Sequence, residues 1–190
     1  MARFDPAQYA APVRALLGEL RLMPLDRGEP NRAAFDGLSA LDEVLLFDGQ
    51  PVRHRELARA CLAGLWLHHD FLDEAHRIAQ SLHGREGSYW HGIMHRREGD
   101  YANAKYWFRR VGRHPIHEAL YLSAGALARD MDTDPAFNRS GSGWDASAFA
   151  DLCEATCAAR NGALELCRQI QEREWQLLFD YCYRRAAGSS

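Results

Sequence analysis

Residues 88–115 read SYWHGIMHRREGDYANAKYWFRRVGRHP, and no other stretch is as informative about the fold. Its first half places Trp90 and Ile93 on one side of a helix, because side chains three and four positions apart share a helical face. Ser88 is predicted to cap this helix at its N-terminus. The pair Glu98–Gly99 then predicts a turn. The first half of the stretch therefore predicts one amphipathic helix that ends at residue 98.

The second half predicts another helix, which Asp100 caps at its N-terminus. Tyr101, Ala104 and Phe108 recur at helical spacing and form a narrow apolar stripe. The small side chain of Ala104 permits close approach of a second helix. Pro115 stops the chain from continuing as a helix. Together the two halves predict a helical hairpin.

This hairpin resembles a tetratricopeptide repeat. The matching positions are Gly99, Asp100, Tyr101, Ala104, Trp107, Phe108 and Pro115. The resemblance implies that Tyr101 and Phe108 fill the groove between two paired helices. It covers one repeat, and the other predicted hairpins lack the motif. The stretch 91–112 also resembles bacterial and fungal proteins, but that second resemblance implies no activity.

The remaining sequence carries the same helical period and no sustained strand alternation. We expect further helices at 53–69, 70–83, 116–129 and 163–185, with a helix between Asp145 and Asn161 and shorter ones before residue 50. Residues 23–31 and 130–144 are predicted loops, and residues 186–190 a disordered tail. The predicted fold is a single all-α domain over residues 1–190, built from stacked antiparallel helical hairpins of tetratricopeptide type.

Composition excludes several classes of protein. A formal net charge of -3 argues against a protein that coats nucleic acid, and duplex nucleic acid is not an expected partner. Charged residues interrupt every apolar segment, so no membrane-spanning helix is expected. The N-terminus carries no apolar run typical of a secretory signal. The five cysteines form no Cys-x-x-Cys pair and are expected to be reduced, which favours a cytoplasmic location.

Histidines follow two of the predicted helices at helical spacing. His69, Asp73, His76 and His83 are predicted to share one face, as are His91, His95 and Glu98. If the two helices pack as neighbours, their imidazoles and carboxylates meet in one cleft, with the spacing of helical metal ligands. The predicted ligands of a divalent metal ion are His69, Asp73, His76, His91 and His95. The alternative is that these histidines only hydrogen-bond neighbouring backbone groups.

Arginine, lysine and aromatic residues are concentrated in residues 96–113. Guanidinium groups beside aromatic rings are suited to carboxylates or phosphates. We therefore expect a binding protein whose cleft takes a small anionic ligand or an acidic peptide. The predicted ligand-binding residues are His76, His91, His95, Arg96, Asn103, Lys105 and Arg109. Two alternatives stay open: an enzyme, metal-assisted or not, that uses the same histidines, and a solvated helix face without a ligand.

Overall fold

The computed structural model describes residues 4–18, 21–131, 143–159 and 163–188. These ranges contain no β-strand, and their α-helices are α1 (Ala11–Leu16), α2 (Phe35–Ser39), α3 (Arg55–His68), α4 (Leu72–Gln80), α5 (Arg85–Arg97), α6 (Tyr101–Val111), α7 (His117–Asp130), α8 (Ala146–Ala159) and α9 (Leu164–Ala187). Short 3-10 helices span Pro6–Gln8, Arg32–Ala34 and Leu45–Phe47. The predicted all-α class is confirmed. Among the described residues, no helix has the length and apolarity that a membrane span requires.

Three predicted boundaries are wrong. Helix α5 begins at Arg85 instead of Ser88, because Gly84 takes an extended conformation and forms the N-cap. The predicted disordered tail is also wrong at its start, since α9 continues to Ala187. The side chain of Ala186 is fully buried, and its carbonyl accepts the backbone N–H of Arg53. In the predicted loop 130–144, Asp130 is still helical, and residues 132–142 lie outside the described ranges.

Helix α5 is the central element. Every residue from 87 to 97 is buried, because α3, α4, α6 and α9 surround this helix. Two glycines allow the close packing: a Cβ at Gly64 of α3 would lie 2.8 Å from the Trp90 ring, and one at Gly92 would lie 2.5 Å from the Phe108 ring. Both separations are too short for real atoms, so larger side chains would push the neighbouring helices apart.

The adjacent arginines at the end of α5 are buried and paired. Arg96 and Arg97 are 0% and 1% exposed. Arg96 Nη2 lies 2.5 Å from Glu174 of α9, and Arg97 Nη2 lies 2.6 Å from Asp70, directly after α3. Buried charges are tolerated in this way only when an opposite charge and hydrogen bonds accompany them. The two pairs therefore attach α5 to α9 and to the C-terminal end of α3.

The predicted loop at residues 23–31 contains no helix, as expected, but Met23 and Leu25 in it are buried. Side chains of the helices satisfy its backbone. Arg97 donates to the carbonyls of Asp26 and Arg27, at 3.0 and 3.1 Å. From α9, Arg168 and Gln171 donate to the carbonyls of residues 22, 23 and 24. The segment 22–27 is thus held by side chains instead of by backbone ladders.

Candidate functional site

Three histidines from two helices meet at one point on the surface of α5. His76 of α4 and His91 and His95 of α5 each offer one ring nitrogen, and these three atoms lie within 4.8 Å of one another. The ring of His76 stands edge-on to the other two, at centroid distances of 5.0 Å and 5.3 Å. His91 and His95 are buried, whereas His76 is only half-buried. The group is therefore open to solvent on the His76 side.

Helix α6 holds the two buried rings in position. The indole of Trp107 stacks on His91 with a centroid distance of 4.2 Å and an interplanar angle of 11°. One turn earlier, Asn103 Nδ2 lies 3.2 Å from His95 Nε2. Asn103 and Trp107 are four positions apart and so share one helical face. This face of α6 forms one wall of the site.

A carboxylate stands behind His95. Nδ1 of His95 lies 3.0 Å from Glu98 Oε2, and Arg27 Nη1 contacts the other Glu98 oxygen at 3.0 Å. A protonated Nδ1 facing Glu98 leaves Nε2 as the acceptor, which is consistent with an Asn103 N–H donating to it. A carboxylate behind a histidine in this way orients the ring and makes its other nitrogen a better metal ligand.

The environment keeps the buried imidazoles neutral. Burial, and next the neighbouring His76 and His95, lower the pKa of His91 to about 4. Burial likewise lowers the pKa of His95, although Glu98 acts in the opposite direction. A neutral imidazole has the lone pair that a metal ion requires. In the histidine cluster, defined as His76, His91 and His95, the two buried members therefore present metal-competent nitrogens at neutral pH.

Two of the predicted metal ligands lie outside this cluster. Asp70 adopts a left-handed conformation with φ 65°, so α3 ends at His68 and α4 begins only at Leu72. The prediction that His69 shares a helical face with His76 is therefore wrong. The His69 ring contacts the Leu16 carbonyl and the Asn31 side chain instead. Asp73 is exposed and pairs with Arg27 at 2.7 Å.

Two cationic residues of the predicted anion cleft, Arg96 and Lys105, have carboxylate partners elsewhere. Arg96 is buried against Glu174. Lys105 pairs with Asp151 of α8 at 2.5 Å, and Arg109, which is exposed, follows it by one turn on α6. Residues i and i+2 of a helix point in directions about 200° apart, so the side chain of Lys105 points away from the face that carries Asn103. Of the predicted ligand-binding residues, the structure brings together the histidine cluster and Asn103.

Two contributing residues were not predicted. The stacking of Trp107 on His91 has a sequence signal, because Trp107 follows Asn103 by four positions in a predicted helix. Arg27 has no such signal, since it reaches Glu98 from the irregular segment 22–27.

Three imidazoles, one backing carboxylate and an open side can hold a metal ion with a free coordination position. Comparison of the chain with protein-family models, with curated proteins and with solved structures yields no match.

Proposed function

We propose that this protein binds a divalent transition metal ion, of which zinc is the best-suited, through His76, His91 and His95. The convergence of three ring nitrogens within 4.8 Å carries the proposal. In a tetrahedral zinc site, ligand nitrogens about 2.0–2.1 Å from the metal lie about 3.4 Å from one another. Because the three nitrogens lie within 4.8 Å of one another, the rings have to draw together by at most about 1.4 Å on binding. The half-buried His76 is the ring with room to move.

The donor set favours a borderline metal over magnesium or calcium. Neutral imidazole nitrogens suit zinc, nickel and copper, whereas magnesium and calcium take oxygen ligands. The nearest carboxylate, Glu98, faces the far nitrogen of His95 and is engaged by Arg27, so it serves to orient the ring. In this proposal Asn103, which contacts His95 Nε2, yields its position to the metal.

Three protein ligands leave a coordination position toward solvent. The small anionic ligand or acidic peptide expected from the sequence would bind there, with an oxygen on the metal instead of on arginine. The enzymatic alternative rests on the same open position, because a three-histidine site with a bound water is the arrangement of catalytic zinc. Binding is the simpler function, and the described residues near the cluster supply no carboxylate placed as a general base.

The decisive experiment measures zinc binding by calorimetry and thermal melting of the wild-type protein, His76→Ala and His83→Ala. His76 is half-buried, so its loss should leave the fold intact, and His83 is an exposed histidine outside the cluster. Zinc at 100 times its dissociation constant should stabilise the wild type by about 2.7 kcal/mol. We expect the same stabilisation for His83→Ala, none for His76→Ala, and no effect of magnesium.

Two results would contradict the proposal. One is a wild-type protein that takes up no zinc after equilibrium dialysis. The other is uptake that His76→Ala leaves unchanged, since zinc would then be bound elsewhere, for example by a cysteine.

A further inference from the structure

A second concave surface lies at the other end of α5. The cleft has a volume of about 640 Å³ and is formed where α3 and α5 begin, near the C-terminal end of α9. Four arginines from three segments of the chain line it. These residues, called here the arginine cleft, are Arg53, Arg55, Arg85 and Arg185. All four are exposed.

None of these four guanidinium groups lies within 4.0 Å of a carboxylate in the part of the chain that the structure describes. Arg85 Nη1 donates to the backbone carbonyl of Arg113 at 2.9 Å, and this acceptor is uncharged. Arg185 lies over the ring of Tyr181, 5.4 Å from its centroid. Ion pairs among the described residues therefore do not neutralise the positive charge of the four arginines.

The two carboxylates that line the cleft are engaged with other groups. Glu56 accepts the backbone N–H groups of His83 and Gly84, at 2.7 and 2.9 Å. Glu86 lies 3.7 Å from Nε2 of the buried His114. Four arginines against two carboxylates leave an excess of two positive charges.

Two helix N-termini also lie at this cleft. Residues 55–57 are the first turn of α3, and Arg85 and Glu86 begin α5. First-turn amides have no acceptor within their own helix, and the helix dipole favours an anion near them. Glu56 and Glu86 already lie in the first turns of these two helices, so the attraction of the cleft for a further anion comes mainly from the guanidinium groups.

We propose that the arginine cleft binds a small molecule that carries two or more linked phosphate groups. Guanidinium groups bind phosphate oxygens in pairs, through parallel N–H bonds. Arginines that reach the cleft from separate segments match several linked oxyanions better than a single one. The volume is that of a small-molecule site. This site is independent of the histidine cluster, so either proposal can fail without the other.

The test uses inorganic pyrophosphate and orthophosphate as probes, in metal-free buffer because pyrophosphate chelates divalent cations. Calorimetry is performed on the wild type, Arg85→Gln, Arg185→Gln and Arg77→Gln. Arg77 is the matched control, since its side chain is 73% exposed on α4 and lies outside the cleft. We expect pyrophosphate to bind the wild type at least tenfold more tightly than orthophosphate. Each cleft substitution should weaken pyrophosphate binding at least tenfold, while Arg77→Gln should not change it.

Circular dichroism verifies that each variant is folded, and two separate cleft substitutions guard against the loss of either one. The proposal is overturned if the wild type binds no pyrophosphate, or if both cleft variants bind it like the wild type. Equal weakening by Arg77→Gln would also overturn it, because the binding would then follow overall charge instead of this cleft.

Discussion

Arginines at the two ends of α5 have opposite environments. At the C-terminal end, Arg96 and Arg97 are buried, and each has a carboxylate within 2.6 Å. At the N-terminal end, Arg85 is exposed and joins three other arginines that lack a carboxylate partner in the described chain. The first pair holds helices together, and the second group has charge available for a ligand.

The comparison shows that density of charge along the sequence is a poor guide to a binding surface. Residues 96–113 are the most basic stretch, yet helical geometry directs Arg96 inward and Lys105 toward Asp151. The arginine cleft is assembled from the neighbouring Arg53 and Arg55 together with Arg85 and Arg185, which are far from them in sequence. What distinguishes the two groups is whether folding supplies a counter-charge.

The largest effect should come from breaking a pair at the C-terminal end. Arg96→Met removes the cation beside Glu174, whose side chain is fully buried. A buried carboxylate left without its partner typically costs 3–5 kcal/mol, so we expect a loss of about 3–5 kcal/mol in the free energy of urea unfolding. The double variant Arg96→Met with Glu174→Met should recover most of this loss. A loss below about 1 kcal/mol in the single variant would show that the pair is not buried as described.

A buried histidine without a carboxylate partner should make the protein less stable in acid. His68 is 1% exposed, lies against Trp175 with the ring centroids 4.5 Å apart and the planes tilted by 32°, and has no hydrogen-bond partner for its ring nitrogens among the described residues. Burial, and next His69, lower its pKa to about 3. Because the unfolded chain then binds the proton more tightly, stability falls as the pH drops below about 6.5 and continues to fall toward pH 3.

From this residue alone, the free energy of unfolding should decrease by about 2 kcal/mol between pH 7 and pH 5. His68→Leu removes the titrating group and keeps an apolar side chain there. Urea unfolding at both pH values should show a smaller acid loss in the variant than in the wild type, by about that amount. Identical losses in the two proteins would mean that the His68 ring is accessible to protons in the fold.

The smallest effect on stability is expected at the N-terminal end. Replacing Arg85 and Arg185 together by glutamine should change the free energy of unfolding by less than about 0.5 kcal/mol, since both side chains are exposed and neither has a carboxylate partner in the described ranges. At low salt the double variant should be slightly more stable than the wild type, because removing two positive charges reduces the repulsion among the four arginines. Thermal melts at two salt concentrations measure this. A marked destabilisation would show that these arginines hold the fold, and would remove the contrast with Arg96.

Much of the helical framework could be predicted from local pattern. Apolar spacing located α3 to α9 to within a few residues, and the predicted N-cap at Asp100 is confirmed, since its side chain accepts the backbone N–H of Asn103. The start of α5 was missed because nothing local distinguishes Gly84 as a cap from Ser88 as one. The tetratricopeptide likeness of the hairpin stays a prediction.

Prediction of the site was less complete, for a physical reason. The spacing of His91 and His95 placed both rings on one face of α5 without knowledge of the fold. Whether His69 or His76 joins them depends on the left-handed turn at Asp70, which Arg97 and Arg21 hold through its carboxylate. Contacts between residues so distant in sequence leave no periodic signal. The arginine cleft also depends on contacts between distant segments, so its residues could not be grouped from their spacing in the sequence.

The irregular segment 22–27 also has a consequence for the order of folding. Its carbonyls are bonded by side chains from α5 and α9, so its conformation is defined only after those helices have docked. We expect a segment with no backbone ladder of its own to be ordered after the helices that hold it. Arg27, which reaches Glu98 behind His95, lies in this segment. We therefore expect the contact of Arg27 with Glu98 to form late in folding, and a local opening of residues 22–27 to remove it while Asn103 of α6 still contacts His95.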